Sequence, residues 1–274
     1  MNHLNAARGA ARVGVYERAR MKNDEKQTKA RALVVVAKAP LEGFVKTRLS
    51  SHLGPAGAAT LYECLLGDIV AKLEKYEDSE FWLAFAPGGE EYFFRNYPAI
   101  RLLPQRGKDL GERLHHVFVD LFRRGYSEIV VADSDSPTIP LSSIDQAYKR
   151  LREEGCDLVL GPSDDGGYYL IGLKDATERI FHDIPWSTNG VLDTTLKRAG
   201  ELELRVGVLP PAYDIDVEED LRRLWNDFMT LEHLRELAPR TYFYLRTLTD
   251  NRSLPAHALI SSNEVKETHD GRKR

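Results

Sequence analysis

The feature of this sequence that most constrains its fold is an alternation of short β-branched runs with longer amphipathic stretches. The run 33–36 predicts a first strand buried on both faces, and 128–132 predicts a later strand of the same kind. Between them, residues 55–73 carry apolar side chains at the 3.6-residue period of a helix. Strands separated by helices of about 10–15 residues are typical of βαβ units. The sequence therefore predicts an α/β fold with a single, mostly parallel sheet flanked by helices.

Other segments extend this pattern. Further strands are predicted at 81–86, 100–103, 157–161, 168–173 and 204–209. Helix starts are predicted from the pairs Asp109 with Glu112, Ser143 with Gln146, and Asp216 with Glu219, the last of which opens a helix over 217–228. The connection 162–167 is short, so one strand near it is predicted to run antiparallel or to bend sharply.

The domain boundaries follow from where the alternation begins and ends. Residues 1–30 are rich in arginine and are predicted to be a solvated tail. The α/β domain is predicted over 31–228, with a helical extension over 229–248 and a second loose tail over 249–274. No function is assigned to the residues after 228.

Composition and charge exclude several classes of protein. The formal net charge of −4 argues against a dedicated nucleic-acid-binding protein, which usually has a basic domain. No apolar run reaches the roughly 18 residues of a membrane span, and the N-terminus lacks the apolar segment of a secretory signal. Cys64 and Cys156 predict two buried free thiols in a reducing compartment. We therefore expect a cytoplasmic protein, in which a local basic cluster is sufficient to bind a small anion.

The loop after the first strand carries the basic residues of the predicted site. Ligands of an open parallel sheet bind outside the carboxyl ends of its strands, so the loops at those ends define the search. Gly43 would let the backbone of this loop approach an anion closely. The loop is not a P-loop, because Pro40 and Val45 stand where that motif requires glycine. Its alternative interpretation is a solvated basic loop. The cations that would neutralise a phosphate chain are Lys38, Lys46 and Arg48.

Two carboxylates follow the strand at 128–132. Asp133 and Asp135 are spaced to converge on one hard cation, and Mg²⁺ is typically held by one or two carboxylates together with substrate phosphates. A phosphatase-type aspartate nucleophile is a second interpretation, but it fits poorly with Pro137 and with a strand so late in the chain. A turn that caps the next helix is the third.

The loop at 161–169 places paired glycines after paired aspartates. Asp165 is a candidate general base for an acceptor hydroxyl, and Gly166 and Gly167 would form a backbone concavity beside it. A plain hairpin turn is an equally good interpretation, since Asp-Gly is a strong turn signal.

The last acidic segment and one tryptophan complete the candidate residues. Asp214 is a candidate third ligand for the cation predicted at Asp133 and Asp135. Asp216 is either a ligand of the same cation or the cap of the following helix. Trp186 is either a stacking surface for a sugar or base, or part of the core.

Taken in order, these motifs resemble those of one known family. The matching segments, which together span about residues 31–228, are 37–49, 105–113, 133–137, 161–173, 186–188 and 214–221. They look like the selenodomain-associated transferase 1 family, also described as the arsenosugar biosynthesis glycosyltransferase family. The resemblance implies a GT-A-like, Rossmann-like nucleotide-diphospho-sugar transferase fold and a divalent metal, Mg²⁺ or Mn²⁺.

The resemblance also implies a role for each matching residue. Contacts to the donor nucleotide and its phosphates would come from Lys38, Pro40, Gly43, Lys46, Arg48 and Arg113. The metal would be held by Asp133 and Asp135, with Asp214 or Asp216 joining them. The acceptor would be faced by Asp165, Gly166, Gly167 and Trp186.

These observations predict a metal-dependent transferase that moves a sugar from a nucleotide sugar to a small-molecule acceptor. The first alternative is nucleotidyl transfer, since the chain is also similar to 2-phospholactate guanylyltransferase and the molybdenum cofactor guanylyltransferase in its first loop and at 214–216. There an NTP would donate NMP to a phosphorylated acceptor and release pyrophosphate. The second alternative is a catalytically silent nucleotide-sugar sensor. No nucleic-acid partner and no membrane span are expected, and the sequence leaves the oligomeric state open.

Overall fold

The computed structural model of the chain describes residues 30–175 and 177–250 and contains one seven-stranded sheet. The strand order across the sheet is β3-β2-β1-β4-β6-β5-β7. The strands are β1 (Ala30–Ala37), β2 (Glu80–Phe85), β3 (Arg101–Pro104), β4 (Tyr126–Ala132), β5 (Leu158–Pro162), β6 (Tyr168–Leu173) and β7 (Val206–Val208).

Helices connect the strands and cover the sheet. They are α1 (Ser50–Leu73), α2 (Glu90–Asn96), α3 (Leu110–Arg123), α4 (Leu141–Arg152), α5 (Val191–Glu201), α6 (Glu218–Thr230), α7 (Glu232–Leu237) and α8 (Pro239–Asp250). Short 3-10 turns cover Thr47–Leu49 and Glu178–Phe181.

The pairing confirms the predicted mostly parallel α/β sheet. β1 pairs in parallel with both β2 and β4, β2 with β3, and β5 with β7. β6 alone of these strands runs antiparallel, and it pairs with both β4 and β5. The short β5–β6 connection therefore produces the antiparallel excursion that its length predicts.

Both faces of the sheet are buried. Successive side chains of a strand point to opposite faces, so neighbouring residues of one strand belong to different cores. Leu33 and Val35 of β1 face the core that α1 and α4 cover, whereas Ala32 and Val34 face the core beneath α3. A third cluster joins α1 to the C-terminal helices α6, α7 and α8. The sheet is thus held rigidly between two layers, which fixes the positions of the loops at its carboxyl edge.

The C-terminal extension is helical, as predicted, and it is anchored by one buried carboxylate. Asp68 on α1 accepts hydrogen bonds from the backbone N–H groups of Arg240 and Thr241 at 3.0 and 2.8 Å, and from the Thr241 hydroxyl at 2.8 Å. These contacts satisfy the free N–H groups at the start of α8.

Three predicted helix starts have different outcomes. Asp109 caps α3 as expected, with its side chain accepting from the Glu112 N–H at 2.9 Å. The Ser143 cap was wrong, because α4 already begins at Leu141 after Pro140, whose fixed φ suits a helix start. The pair Asp216 with Glu219 was also wrong: Asp220 accepts from the backbone N–H of Asp216 instead, at 2.9 Å.

Two helices of the fold are absent from the sequence-based prediction. α2 has Phe93 as its buried residue, and a helix this short gives little periodic signal. α5 buries Val191, Thr195 and Ala199, which lie on one face but include a polar residue.

The predicted tails lie outside the described residues, apart from their inner ends at 30 and 249–250. Of the helices described, none is both long enough and apolar enough to cross a membrane. The two cysteines are free thiols, Cys156 buried and Cys64 only half-buried.

Candidate functional site

The loops at the carboxyl edge of the sheet surround a cavity of about 490 Å³. It lies at the ends of β3, β2, β1 and β4, where an open α/β sheet binds its ligands. Cations and carboxylates both line it. The charged residues on its wall are Lys38, Lys46, Arg48, Arg113, Asp133, Asp135 and Asp216.

Lys46 is the central cation of this cavity. Its side chain is only 4% exposed, and Nζ lies 2.6 Å from Asp135 Oδ2 and 3.5 Å from Asp216 Oδ1. Burial alone would lower the pKa of Lys46, but the two carboxylates outweigh it and raise this pKa above its ordinary value. The ammonium is therefore charged throughout the physiological range. It links the first loop to two acidic segments that lie far from it in the sequence.

The backbone of Lys46 is held in an uncommon conformation. Its φ of 45° and ψ of 41° are left-handed, which costs a non-glycine residue about 1–2 kcal/mol. The Lys46 carbonyl accepts a hydrogen bond from the Leu49 N–H at 2.9 Å, which starts the 3-10 turn. Strain of this kind persists where the surrounding structure over-determines it, and it concentrates at functional sites.

Asp216 faces the cavity and does not cap α6. Its Oδ2 accepts from Arg48 Nη1 at 2.7 Å, while Oδ1 faces Lys46. Because Asp220 satisfies the Asp216 and Val217 N–H groups, the Asp216 carboxylate is left for the two cations.

Asp133 and Asp135 have different surroundings although they are two residues apart. Asp133 accepts from the Ser136 N–H at 3.2 Å and from the Ser136 hydroxyl at 2.6 Å, so its hydrogen bonds stabilise the loop that contains it. Burial raises the pKa of Asp133 well above its ordinary range, and the neighbouring Asp135 raises it further. Asp135 presents a carboxylate oxygen to Lys46 across the cavity.

Asp214 lies close to these groups but does not line the cavity. The Ser163 hydroxyl donates to its Oδ1 at 2.9 Å, which joins the segment after β7 to the loop after β5. Burial, with smaller effects from Asp135 and Asp165, raises the pKa of Asp214 to about 6.

Tyr62 is a site residue that sequence reasoning missed. It is buried at the cavity floor, where its hydroxyl accepts from the Lys38 N–H at 3.0 Å and lies 2.7 Å from Ser134 Oγ. It therefore ties the basic first loop to the acidic loop after β4. In the sequence it is one of the apolar-stripe positions of α1, so nothing local distinguishes it from a core residue.

Apolar side chains also line the cavity and were missed. Phe44 is 74% exposed and Leu110 is 41% exposed, and both line the cavity. Gln105 is buried and also lines the cavity, with Nε2 donating to the Ala84 carbonyl at 2.6 Å. Phe44, an apolar residue within the basic first loop, was the available signal. Leu110 is the first residue of α3, and Gln105 begins the segment 105–113 without an assigned role.

Several predicted site residues do not line this cavity in the described part of the chain. Those residues, besides Asp214, are Pro40, Gly43, Asp165, Gly166, Gly167 and Trp186.

The structure gives some of these residues local explanations. Asp165 is exposed, and its Oδ1 accepts from the Gly167 N–H at 2.8 Å. A Cβ on Gly166 would overlap the Asn189 carbonyl oxygen, so packing alone requires glycine there. Trp186 meets Tyr168 edge-on at 6.4 Å. Their predicted contacts with an acceptor stay predictions.

Carboxylates are suitable ligands for a hard cation, but these acids do not form a complete coordination site by themselves. Among residues 30–175 and 177–250, no three His, Cys, Asp or Glu side chains are grouped closely enough to hold a metal ion. Asp135 and Asp216 nevertheless converge on one point, and Mg²⁺ needs no more than one or two carboxylates when substrate phosphates supply the other oxygens. The residues therefore fit a cation that arrives with a phosphorylated ligand.

Comparison with known proteins agrees with this fold. A family model described as "Uncharacterized protein conserved in bacteria (DUF2064)" matches residues 69–188. No curated protein matches the sequence.

Two solved structures are similar to the chain. A candidate nucleotide-diphospho-sugar transferase from Desulfovibrio desulfuricans G20 has 30% sequence identity and a TM-score of 0.74, over 80% of this chain and 95% of that one. CMP:2-keto-3-deoxy-manno-octonic acid synthetase, solved with CTP, has 11% identity and a TM-score of 0.50, over 74% and 99% of the two chains, and shows similarity of fold alone. On the strength of the Desulfovibrio match, this chain belongs to the same family as that protein and has the nucleotide-diphospho-sugar transferase fold.

Proposed function

We propose that this protein is a metal-dependent glycosyltransferase that uses a nucleotide-diphospho-sugar donor. The observation that carries the proposal is the pairing of Lys46 with Asp135 and Asp216 inside a cavity at the carboxyl edge of the sheet. A diphosphate needs cations, a metal needs carboxylates, and the cavity wall supplies both. The Desulfovibrio relative, described as a candidate for the same activity, supports the class.

The donor's phosphates are bound by the basic side chains of the cavity. Lys46 and Arg48 come from the first loop and its 3-10 turn, and Lys38 and Arg113 also line the cavity. Arg113 is oriented by the Gly107 carbonyl, which accepts from its Nε at 3.2 Å. Charge-assisted contacts of this kind are each worth about 1.5–3 kcal/mol.

Asp135 and Asp216 would hold Mg²⁺ or Mn²⁺ together with the donor phosphates, with Asp133 and Asp214 next to them. When bound, the metal neutralises the negative charge that develops on the diphosphate leaving group. This chain's own contribution is to direct the two carboxylates toward one point from the segments after β4 and β7.

The acceptor side is formed by the loop after β5. The acceptor hydroxyl oxygen bonds to the anomeric carbon, the bond from that carbon to the diphosphate breaks, and the hydroxyl proton passes to a base. We propose Asp165 as that base, because its Gly167 hydrogen bond orients the carboxylate. Gly166, Gly167 and Trp186 flank the acceptor in this proposal.

Nucleotidyl transfer is the second candidate, and the position of Asp165 favours it. That residue does not line the cavity in the described part of the chain. A phosphorylated acceptor that attacks the α-phosphorus of an NTP brings its own anionic nucleophile and needs no such base. Pyrophosphate would then leave with the charge that the same cations neutralise.

A thermal-shift panel tests the class and separates the candidates. Nucleotide sugars and free NTPs are each added with and without Mg²⁺ or Mn²⁺, and a ligand at a hundredfold excess over its Kd stabilises the native state by about 2.7 kcal/mol. A shift with a nucleotide sugar plus metal supports glycosyl transfer. A shift with NTPs alone supports nucleotidyl transfer, and no shift across the panel contradicts both.

A further inference from the structure

The ammonium of Lys46 occupies a point where carboxylates from two loops converge. Nζ lies between Asp135 Oδ2, at 2.6 Å, and Asp216 Oδ1, at 3.5 Å, and the side chain is almost completely buried. Asp216 is shared, since its other oxygen binds Arg48 at 2.7 Å. In the free protein these two carboxylates already have a cation.

A divalent ion held by the same two carboxylates would compete with that ammonium. Like charges at contact distance repel strongly in a partly buried site. Lys46 therefore weakens the binding of a metal ion to Asp135 and Asp216 as long as its ammonium stays between them.

Lys46 is placed there by the fold. Its backbone is left-handed, its side chain is buried, and its carbonyl accepts from the Leu49 N–H in the turn at Thr47–Leu49. The chain keeps a strained lysine at this position, where glycine or asparagine would be easier to accommodate.

We propose that Lys46 is the resident counter-ion of Asp135 and Asp216, and that a divalent cation takes these carboxylates only after an anion has drawn the ammonium away. The inference rests on the proposed function, in which that anion is the donor diphosphate. It follows that the free protein binds a divalent cation weakly, and that the cation enters with the nucleotide or after it.

The test titrates Mn²⁺ alone into the free protein. Binding is measured as the loss of the electron paramagnetic resonance signal of the free ion. We expect Lys46→Met and Lys46→Gly to bind Mn²⁺ at least about tenfold more tightly than the native protein, a gain of about 1.4 kcal/mol. Glycine suits the left-handed backbone, so this variant decides the test if the methionine variant does not fold. Lys38→Met removes the same charge from the same cavity at a residue outside the Asp135–Lys46–Asp216 pairing, and it should gain much less Mn²⁺ affinity than Lys46→Met.

A double variant locates the gained site. Adding Asp135→Asn to Lys46→Met should abolish the gain. The inference is overturned if native and Lys46 variants bind Mn²⁺ equally, if Lys38→Met gains as much, or if the double variant retains the gain. None of these titrations contains nucleotide, so they leave the proposed function to the thermal-shift panel, and failure of that panel would not alter them.

Discussion

Lys46 Nζ lies 2.6 Å from Asp135 Oδ2, although 89 residues separate the two in the sequence. The pair connects the loop after β1 to the loop after β4, two neighbouring strands in the sheet. Because the adjacent carboxyl ends of parallel strands bring such loops together, the sheet order converts two distant motifs into one charged centre.

The first prediction concerns Asp135. Asp135→Asn keeps the size of the side chain but removes the charge that Lys46 and a bound cation require, so turnover should fall on the order of a hundredfold or more. The far-UV circular dichroism spectrum should be unchanged. Asp193→Asn, an exposed residue on α5, is the matched control and should retain turnover. Native-like turnover in Asp135→Asn with metal supplied would overturn the metal assignment.

The second prediction concerns Tyr62, which ties the two loops together. Tyr62→Phe leaves the Lys38 N–H and the Ser134 hydroxyl without this partner, which should cost about 1–2 kcal/mol in the free energy of unfolding. Donor affinity should also fall, because the proposed function places both loops at the donor and its metal ion.

Tyr148 provides the control for that experiment. Its hydroxyl donates to the Ala32 carbonyl near the start of β1, far from the cavity. Tyr148→Phe should lower stability by a similar amount in urea unfolding but leave donor affinity unchanged. If both variants change affinity equally, Tyr62 has only a structural role.

The third prediction is a pH dependence set by Lys72. Burial lowers the pKa of Lys72 to about 8, and its Nζ donates to the Pro137 carbonyl at 2.6 Å. The unfolded chain holds this proton up to about pH 10.4, so between about pH 8 and 10.4 the unfolded state binds more protons. The contribution of Lys72 to stability therefore rises across this window.

Lys72→Met isolates this effect by comparison with the native protein. The free energy of unfolding of the native protein, relative to that of the variant, should be constant below about pH 8 and rise between about pH 8 and 10.4. Urea unfolding at fixed pH values measures it. A flat difference across the window would show that Lys72 keeps an ordinary pKa.

The fourth prediction contrasts two glycines. Gly166 has a φ of +88°, and a Cβ there would overlap the Asn189 carbonyl oxygen. Gly166→Ala should therefore lower the free energy of unfolding by about 2 kcal/mol or more. Gly200, near the end of α5, has no atom within 4 Å of the point that a Cβ would occupy. Because alanine restricts the unfolded chain, Gly200→Ala should raise the free energy of unfolding by about 0.5–1 kcal/mol. Thermal or urea unfolding checks both, and equal effects would contradict the close packing at Asn189.

Much of the fold could be predicted from sequence because burial leaves a local pattern. β1 and β4 are buried on both faces and are therefore continuous apolar runs. The helix α3 shows a clear apolar stripe, whereas α1 is apolar over a wider surface because it packs in two core clusters. α2 was missed because seven residues with Phe93 as the buried member carry little periodicity. Where a helix starts is equally hard to predict, as Ser143 shows.

The site was only partly predictable for a different reason. The cations and acids could be identified loop by loop, but their pairing depends on contacts across the sheet. From the sequence, Asp216 was equally consistent with a helix cap and a metal ligand. In the structure Asp220 caps the helix, which leaves the Asp216 carboxylate facing the cavity. Tyr62 has no local signal at all, since its two partners come from loops on either side of it in the sequence.

The most direct test of the central claim is to measure the Kd of the donor identified by the thermal-shift panel for the native protein and for Arg48→Met. The Arg48 side chain is 67% exposed, so its loss should not disturb the fold, but the proposed function places it on the donor phosphates. Arg101→Met is the matched control, because that exposed arginine pairs with Glu80 at the opposite edge of the sheet.

We expect Arg48→Met to weaken donor binding by about tenfold or more and Arg101→Met to leave it unchanged, since a charge-assisted contact is worth about 1.5–3 kcal/mol. Equal affinity in all three proteins would contradict the claim that this cavity binds the donor phosphates.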